Sequence, residues 1–251
     1  MEPQAAPQAA VTGVVVVFLV DLLKPHRSWG WMKLAQGASH LLKMPGVLFS
    51  KVMGSGHEGG FGLRPSATHQ GLIVVLENSE QADAFLKSDW VEQYKTYARE
   101  WCSAVMTVTS SKGQWNQVAW LPTDPDLVNA SSDRGWVATL TRASIRPASA
   151  MAFWRYAPAA QADLSTAQGC VLAMGLGEAP LVRQCTFSIW KNTESMLSYA
   201  HSGAHQTAIQ AAYKHGFFSE SMFVRMRVLR TAGVWNGVFM GHADTTGVAH
   251  A

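Results

Sequence analysis

Charge is scarce in this chain: only 15% of its 251 residues are Asp, Glu, Lys or Arg, and their balance is +3. The cations form no long block or basic stripe, so the electrostatic footprint of a nucleic-acid-binding protein is missing. Cysteine is scarcer still. Cys102, Cys170 and Cys185 lie far apart and form no CxxC or CxxCH. A zinc ribbon, a plant-type iron–sulfur centre and a c-type haem attachment therefore lose their usual sequence support. There is no HExxH and no GxSxG elbow, which leaves hydrolysis by an activated serine unsupported. Long apolar runs are also absent. The strongest, from Val11 to Leu23, is interrupted by Asp21 and is too short to cross a bilayer as a helix. The opening MEPQAAPQAA carries no positive residue before that run, unlike a secretory peptide. These absences predict a cytoplasmic protein with reduced thiols, peripheral at most to the inner face of the cytoplasmic membrane.

What is present is a large core. Hydrophobic residues make up 48% of the chain and ten are tryptophan, which excludes intrinsic disorder. The halves can be laid over one another. The first reads as a strand over 14–20, a helix over 28–43 stopped by Pro45-Gly46, strands over 47–53 and 71–76, a helical stretch from Asn78 to Tyr97, and a strand over 105–108. The second repeats the order: strand 137–145, helix 148–162, strands 169–174 and 185–190, helices 193–200 and 204–215, strand 222–229. Trp31 matches Trp154, Gly46 matches Gly169, Gly54-Ser-Gly56 matches Gly175-Leu-Gly177 and Trp115 matches Trp235, at offsets of about 120 residues.

Strand–helix–strand–strand–helix–strand is the ferredoxin-like order. Its helices cover one sheet face only, and the bare face needs a partner. The expected fold is therefore α+β: a tandem ferredoxin-like repeat of the dimeric α/β-barrel type, with two antiparallel sheets packed together and helices outside. Residues 11–115 form the N-terminal unit, 116–135 the linker and 136–235 the C-terminal unit. Pairing of each unit with a second copy, in a homo-oligomer, is the other way to cover the bare faces. The Gly54-Ser-Gly56 loop leads to Gly59-Gly60 and Pro65 rather than into a helix, so it lacks dinucleotide-binding geometry.

Two anomalies suggest chemistry. The first is His205, which opens an alanine-rich helix with Ile209 one turn on. Small residues admit a flat, bulky group close to a helix, and an imidazole there suits a haem iron. A hydrogen-bonded histidine at the start of a close-packed helix is the competing reading. His26, His40, His57 and His69 have no convincing partners, and His201 with His205, four apart across Gly203 and with Glu194 the only carboxylate near, makes a poor metal set. The second anomaly is arginine among apolar strand residues: Arg183 before Cys185-Thr-Phe-Ser188, and Arg225 and Arg227 within 222–229. A buried guanidinium is costly unless it is paired or faces an anion. Period-two alternation puts Arg225 and Arg227 on one face, and Thr186 and Ser188 opposite in phase to Phe187. Solvated strand ends account for the arginines equally well.

Longer strings carry a resemblance. Gly54-Ser-Gly56 running to Gly62-Leu-Arg64-Pro65, Gly177-Glu-Ala-Pro-Leu-Val-Arg-Gln184 with Thr186-Phe-Ser188, and Ser202-Gly-Ala-His205 continuing to Phe217-Phe-Ser-Glu-Ser-Met-Phe-Val-Arg225 closely resemble the spheroidene monooxygenase family over about residues 14–227. The resemblance implies an enzyme containing haem b (iron protoporphyrin IX). It would oxidise an acyclic carotenoid at C-2, to a hydroxy and then a keto product, with dioxygen and reduced ferredoxin. Under that resemblance His205 is the expected axial ligand of the haem iron, with Ile209 beside the cofactor. Arg183, Ser188 and Arg225 are the expected catalytic residues, the arginines also serving as distal or propionate partners. The first loop departs from the family pattern by carrying His57, which makes His57 a second candidate ligand. Haem enzymes of the same fold with aldoxime-dehydratase-like or peroxidase-like chemistry, and a haem-free binding module, are the alternatives.

Overall fold

The structure, a computed structural model, describes residues 9–62, 64–123, 135–155, 164, 166–179, 181–201 and 203–244. The strands are β1 (Ala9–Val11), β2 (Val14–Leu22), β3 (Val47–Gly56), β4 (Pro65–Leu76), β5 (Ala98–Gly113), β6 (Val118–Trp120), β7 (Val137–Ile145), β8 (Cys170–Ala179), β9 (Arg183–Trp190), β10 (Phe218–Trp235) and β11 (Val238–Phe239). The helices are α1 (Arg27–Gln36), α2 (Ser79–Leu86), α3 (Asp89–Tyr97), α4 (Thr193–Ala200) and α5 (Gly203–Lys214), with further helical backbone at 150–155.

One nine-stranded sheet runs β11-β10-β5-β2-β4-β3-β8-β9-β7, and β10 also pairs with β7, closing the sheet into a barrel. The closed barrel of antiparallel strands agrees with the expected barrel type, and hydrogen bonding across both junctions makes the two expected sheets continuous. β10 makes closure possible through its 18 residues. Its segment Met222–Arg227 meets β5 along one edge and β7 along the other, so no long edge is left to recruit another chain. Residues 116–123, expected as linker, contain β6, which pairs in parallel with β1; linker residues 124–134 lie outside the described residues.

β2 shows why these residues make strands. Its sequence VVVVFLVDL is β-branched and apolar, and all nine residues are buried. Alternate side chains serve different cores. Val15, Val17 and Leu19 point into the barrel with Met106, Phe187 and Met226. Val14, Val16, Phe18 and Val20 point outward beneath α2 and α3, against Phe85, Val91 and Tyr94.

Some helix boundaries differ from the sequence reading. The helix expected over 28–43 ends at Gln36 because Gly37 takes a φ of 63°, and only a short 3-10 turn follows at Leu41–Lys43. The stretch 78–97 is two helices, divided where the Ser88 side chain accepts from the Val91 amide and starts α3.

The same local devices recur in both halves. Asn78 caps α2 by accepting from Gln81 N at 2.9 Å, and Asn192 caps α4 by accepting from Ser195 N at 2.8 Å. Gly46 (φ 71°) and Gly169 (φ 79°) lie against those same residues, where a Cβ would collide with Gln81 or Ser195. The turns after β5 and β10 are clasped reciprocally. Glu220 on β10 accepts from the amides of Asn116 and Gln117 at 3.1 and 2.8 Å. Glu100 on β5 accepts from those of Asn236 and Gly237 at 2.7 and 3.2 Å.

Ionic groups occupy both ends of the apolar barrel interior. At one end Arg142, 1% exposed, bridges Glu178 (3.4 Å) and Glu220, while Glu178 also accepts from Lys51 (2.9 Å) and Trp115 Nε1 (2.8 Å). Burial opposes ionisation of Glu220, but the two amides and Arg142 outweigh it and hold its carboxyl below the ordinary range. At the other end Asp21 meets Arg99 and buried His69, whose Nδ1 lies 3.4 Å from Asp21 and 2.9 Å from Ser66 Oγ. His69 thus has the partners that its sequence neighbourhood did not reveal.

Arg142→Ala removes the cation beside Glu220 and leaves Glu178 with the Lys51 cation alone, and is expected to cost about 3 kcal/mol, read as a lowered urea midpoint. His69 titrates below the ordinary histidine value, first through burial and then through Arg99, with Asp21, Glu58 and Glu100 opposing. Below about pH 6.5 the unfolded chain takes up a proton that the folded chain resists, so stability falls with acidification. His69→Gln is expected to flatten that slope in urea titrations across pH.

Candidate active site

The outward faces of the halves differ in kind. Over β2 the outward residues Val16, Phe18 and Val20 lie buried beneath helices. At the matching places on β7 stand Thr139, Thr141 and Ala143, and Thr141 is exposed in the middle of the sheet. Among the described residues this face is built of small and hydroxylated side chains, buried at Thr139 and Ala143 and exposed at Thr141, which makes it the candidate place for a ligand.

Strand register arranges this face in rows. One row runs Arg225–Thr139–Ser188–Ala173 across β10, β7, β9 and β8. The next runs Phe223–Thr141–Thr186–Gly175. Phe223 is 39% exposed, an apolar ring beside hydroxyls. The far end of the face is covered by α4 through Met196, packed with Val137, Leu164 and Trp190, and by Phe61 from the first loop. Gly175 permits that cover: a Cβ there would stand 2.6 Å from Gly60 O and 2.7 Å from the Phe61 ring. α5 packs separately, through Ala211 and Ala212 against Phe217, Ala152, Phe153 and Phe218.

The polar groups of the first row form a chain. Trp190 Nε1, which can only donate, gives its hydrogen to Ser188 Oγ at 2.9 Å. Ser188 Oγ lies 2.8 Å from Thr139 Oγ1, and both residues are buried. When Ser188 donates onward, the Thr139 proton is free for a group lying on the face. Beside Thr139 stands Arg225, whose Nε is buried without a hydrogen-bond partner and whose guanidinium meets no carboxylate among the described residues. Such a cation calls for an anion.

The structure thus brings Ser188 and Arg225 together and separates them from Arg183. Arg183 is exposed at the start of β9 and shares the phase of Cys185 and Phe187, which point into the barrel, so it does not line the face. Arg227 pairs with Asp244 at 2.6 Å. His57 sits in an exposed turn 4.0 Å from Glu58. His205 and Ile209 lie within α5, but their side chains are outside the described residues. No group of three or more His, Cys, Asp or Glu positioned to hold a metal ion occurs among the described residues. Cys102 and Cys185 are buried and their thiols pushed up by burial; Cys170 is pushed up to about 11, again chiefly by burial. None is an activated nucleophile. A separate cavity of about 690 Å³ follows α4 through Thr193, Glu194, Leu197 and His201, and shares no lining residue with either row.

No family model matches the chain. It is 47% identical over 225 residues to the spheroidene monooxygenase of Rubrivivax gelatinosus, covering 89% of this chain and 85% of that one. The chain belongs to the spheroidene monooxygenase family. The spheroidene monooxygenase of Rhodobacter capsulatus is 32% identical over 195 residues, 77% of this chain and 80% of that one. Among solved structures, aldoxime dehydratase shares the fold, with a TM-score of 0.50 at 11% identity over 90% of this chain and 83% of that one.

Within this member of the spheroidene monooxygenase family, Thr139, Thr141 and Phe223 were missed by the sequence reading. The available signal was the change from valine and phenylalanine in β2 to threonine at the same places in β7. Because Arg225 Nε gains no partner from the fold, Arg225→Met is expected to leave the unfolding free energy unchanged within about 0.5 kcal/mol, or to raise it. Chemical denaturation checks this, and a loss of several kcal/mol would mean that the fold needs the guanidinium.

Proposed function

We propose that this chain is a haem-dependent monooxygenase that oxidises a spheroidene-like acyclic carotenoid at C-2, to a hydroxy and then a keto product, using dioxygen and electrons from reduced ferredoxin. The 47% identity to a relative named spheroidene monooxygenase carries the reading. The contrast between the outward faces supports a location in the C-terminal half. In this reading the halves are tandem ferredoxin-like units, and the second holds iron protoporphyrin IX.

The residues on that face fit such a group. Arg225, whose Nε has no hydrogen-bond partner among the described residues, would offer its guanidinium to a propionate carboxylate, and the exposed Thr141 and Phe223 would offer a hydroxyl and an apolar edge beside it. His205, in the first turn of α5, is the proposed axial ligand, with Ile209 one turn on. When bound, the haem supplies dioxygen activation and the transfer of one oxygen atom to a C–H bond. The protein's own residues do the rest. Trp190 holds Ser188, Ser188 holds Thr139, and the Thr139 Oγ1 proton becomes a fixed donor toward a ligand on the face. Donors locked in this way need no reorganisation when charge develops beside them. Phe61 and Phe223 give a polyene apolar walls and exclude water from that side.

His205→Ala is expected to abolish the Soret band or alter it through changed iron ligation; an unaltered wild-type spectrum would overturn the ligand assignment. Product formation is expected to require both dioxygen and reduced ferredoxin, with label from ¹⁸O₂ in the carotenoid. Turnover without electrons or label incorporation would favour redox-neutral chemistry on the same scaffold.

A further inference from the structure

Residues 22–57 contain five cations, Lys24, Arg27, Lys33, Lys43 and Lys51, and no Asp or Glu. Lys51 is taken by Glu178, and the other four meet no carboxylate among the described residues. In a chain with a net charge of only +3, this is a concentration of one sign. The same segment carries exposed apolar side chains where packing needs none: Trp31 at 49%, Met32 at 46% and Leu42 at 54%.

Helical geometry gathers these features. The exposed residues of α1 are Arg27, Ser28, Trp31, Met32, Ala35 and Gln36, one continuous stripe at the spacing of a single helix face. Beside it a shallow cavity of about 380 Å³ is lined by Lys33, Gln36, Ser39, His40, Lys43 and Trp90. Lys33 lies over the rings of Trp29 (5.2 Å) and Trp90 (5.6 Å), held at the surface without an anionic neighbour. Cations interleaved with tryptophan, methionine and leucine suit a layered partner, negative at the surface and apolar beneath. A purely acidic protein surface would satisfy the cations but would need an apolar patch of its own at the same place to cover the stripe.

We infer that the face formed by α1 and Leu41–Lys43 docks on an anionic lipid bilayer, with the lysines and Arg27 on phosphate headgroups and Trp31, Met32 and Leu42 at the acyl boundary. This goes beyond the catalytic reading and does not depend on it. No helix among the described residues is long and apolar enough to cross a membrane, so the contact is with the surface.

The test is cosedimentation of the full chain with phosphatidylglycerol–phosphatidylcholine vesicles and with phosphatidylcholine alone. Binding is expected to the anionic vesicles, weakened by salt as headgroup attraction is screened. Lys24→Glu with Lys43→Glu is expected to lower the partition coefficient by about tenfold or more. Trp31→Ser with Leu42→Ser is expected to lower it independently, and Lys191→Glu on the C-terminal half to leave it unchanged. Circular dichroism identifies any variant that fails to fold. Absence of wild-type binding to anionic vesicles, or folded variants that bind as tightly as the wild type, overturns the inference. If the lysine reversals abolish reduction by ferredoxin yet leave vesicle binding intact, the face belongs to an acidic protein and the inference fails.

Discussion

The structure depends on satisfying the backbone at the junctions between its halves. Four antiparallel strands per half leave two open edges each, and an open edge attracts foreign strands. β10 resolves one junction by pairing with β5 and β7 at once. Glu100 and Glu220 reinforce it, each accepting from the turn that follows the other's strand. Closure makes an inside, and the inside dictates much of the sequence. Val, Met, Leu and Phe fill its middle, while each ionic group at its ends finds a counterion. A charge in such surroundings is tolerated only when paired.

Closure also frees the outside. Since the barrel interior already supplies a core, the outward face of each half can differ. The N-terminal half uses its outward face for a second core under α2 and α3. The C-terminal half presents threonine, serine and an arginine, Arg225, that meets no carboxylate among the described residues. The capping asparagines and paired positive-φ glycines are alike in both halves, so the backbone devices are common and the outward side chains diverge. The outward face of the N-terminal half is thus spent on packing, whereas that of the C-terminal half keeps polar side chains.

Much of the strand pattern was legible in the sequence because β-branched runs such as Val14–Val20 have few other uses. Helix ends were less legible. Gly37 stops α1 through a left-handed φ that composition does not announce, and Ser88 restarts the chain within an otherwise helical pattern. A barrel type was legible from the repeated element order, but the joining of its two sheets was not, because periodicity tells which side chains share a face and not which edges meet. The same limit applies to the site. Alternation put Thr186 and Ser188 out of phase with Phe187, and in the structure Phe187 belongs to the barrel interior while Ser188 bonds to Thr139 and Trp190. Arg183 drew attention through its prominent string, yet its phase is that of Cys185 and it leads away from the face. The partnership of His69 with Asp21 was hidden for another reason: it is made by neighbouring strands β2 and β4, far apart in sequence.

The second junction is built differently. β3 and β8 meet where Gly54 faces Gly177, a much briefer ladder than the one joining β10 to β5. Ser55 Oγ on Gly175 O (2.5 Å) and Lys51 on Glu178 (2.9 Å) reinforce it. A closed cylinder loaded from any side yields along its thinnest stave. Here that stave runs beneath the 57–62 loop, which contributes Phe61 to the roof of the candidate site. The short ladder therefore makes this seam the one that opens with the fewest backbone hydrogen bonds broken, while the long β10–β5 seam keeps the halves together.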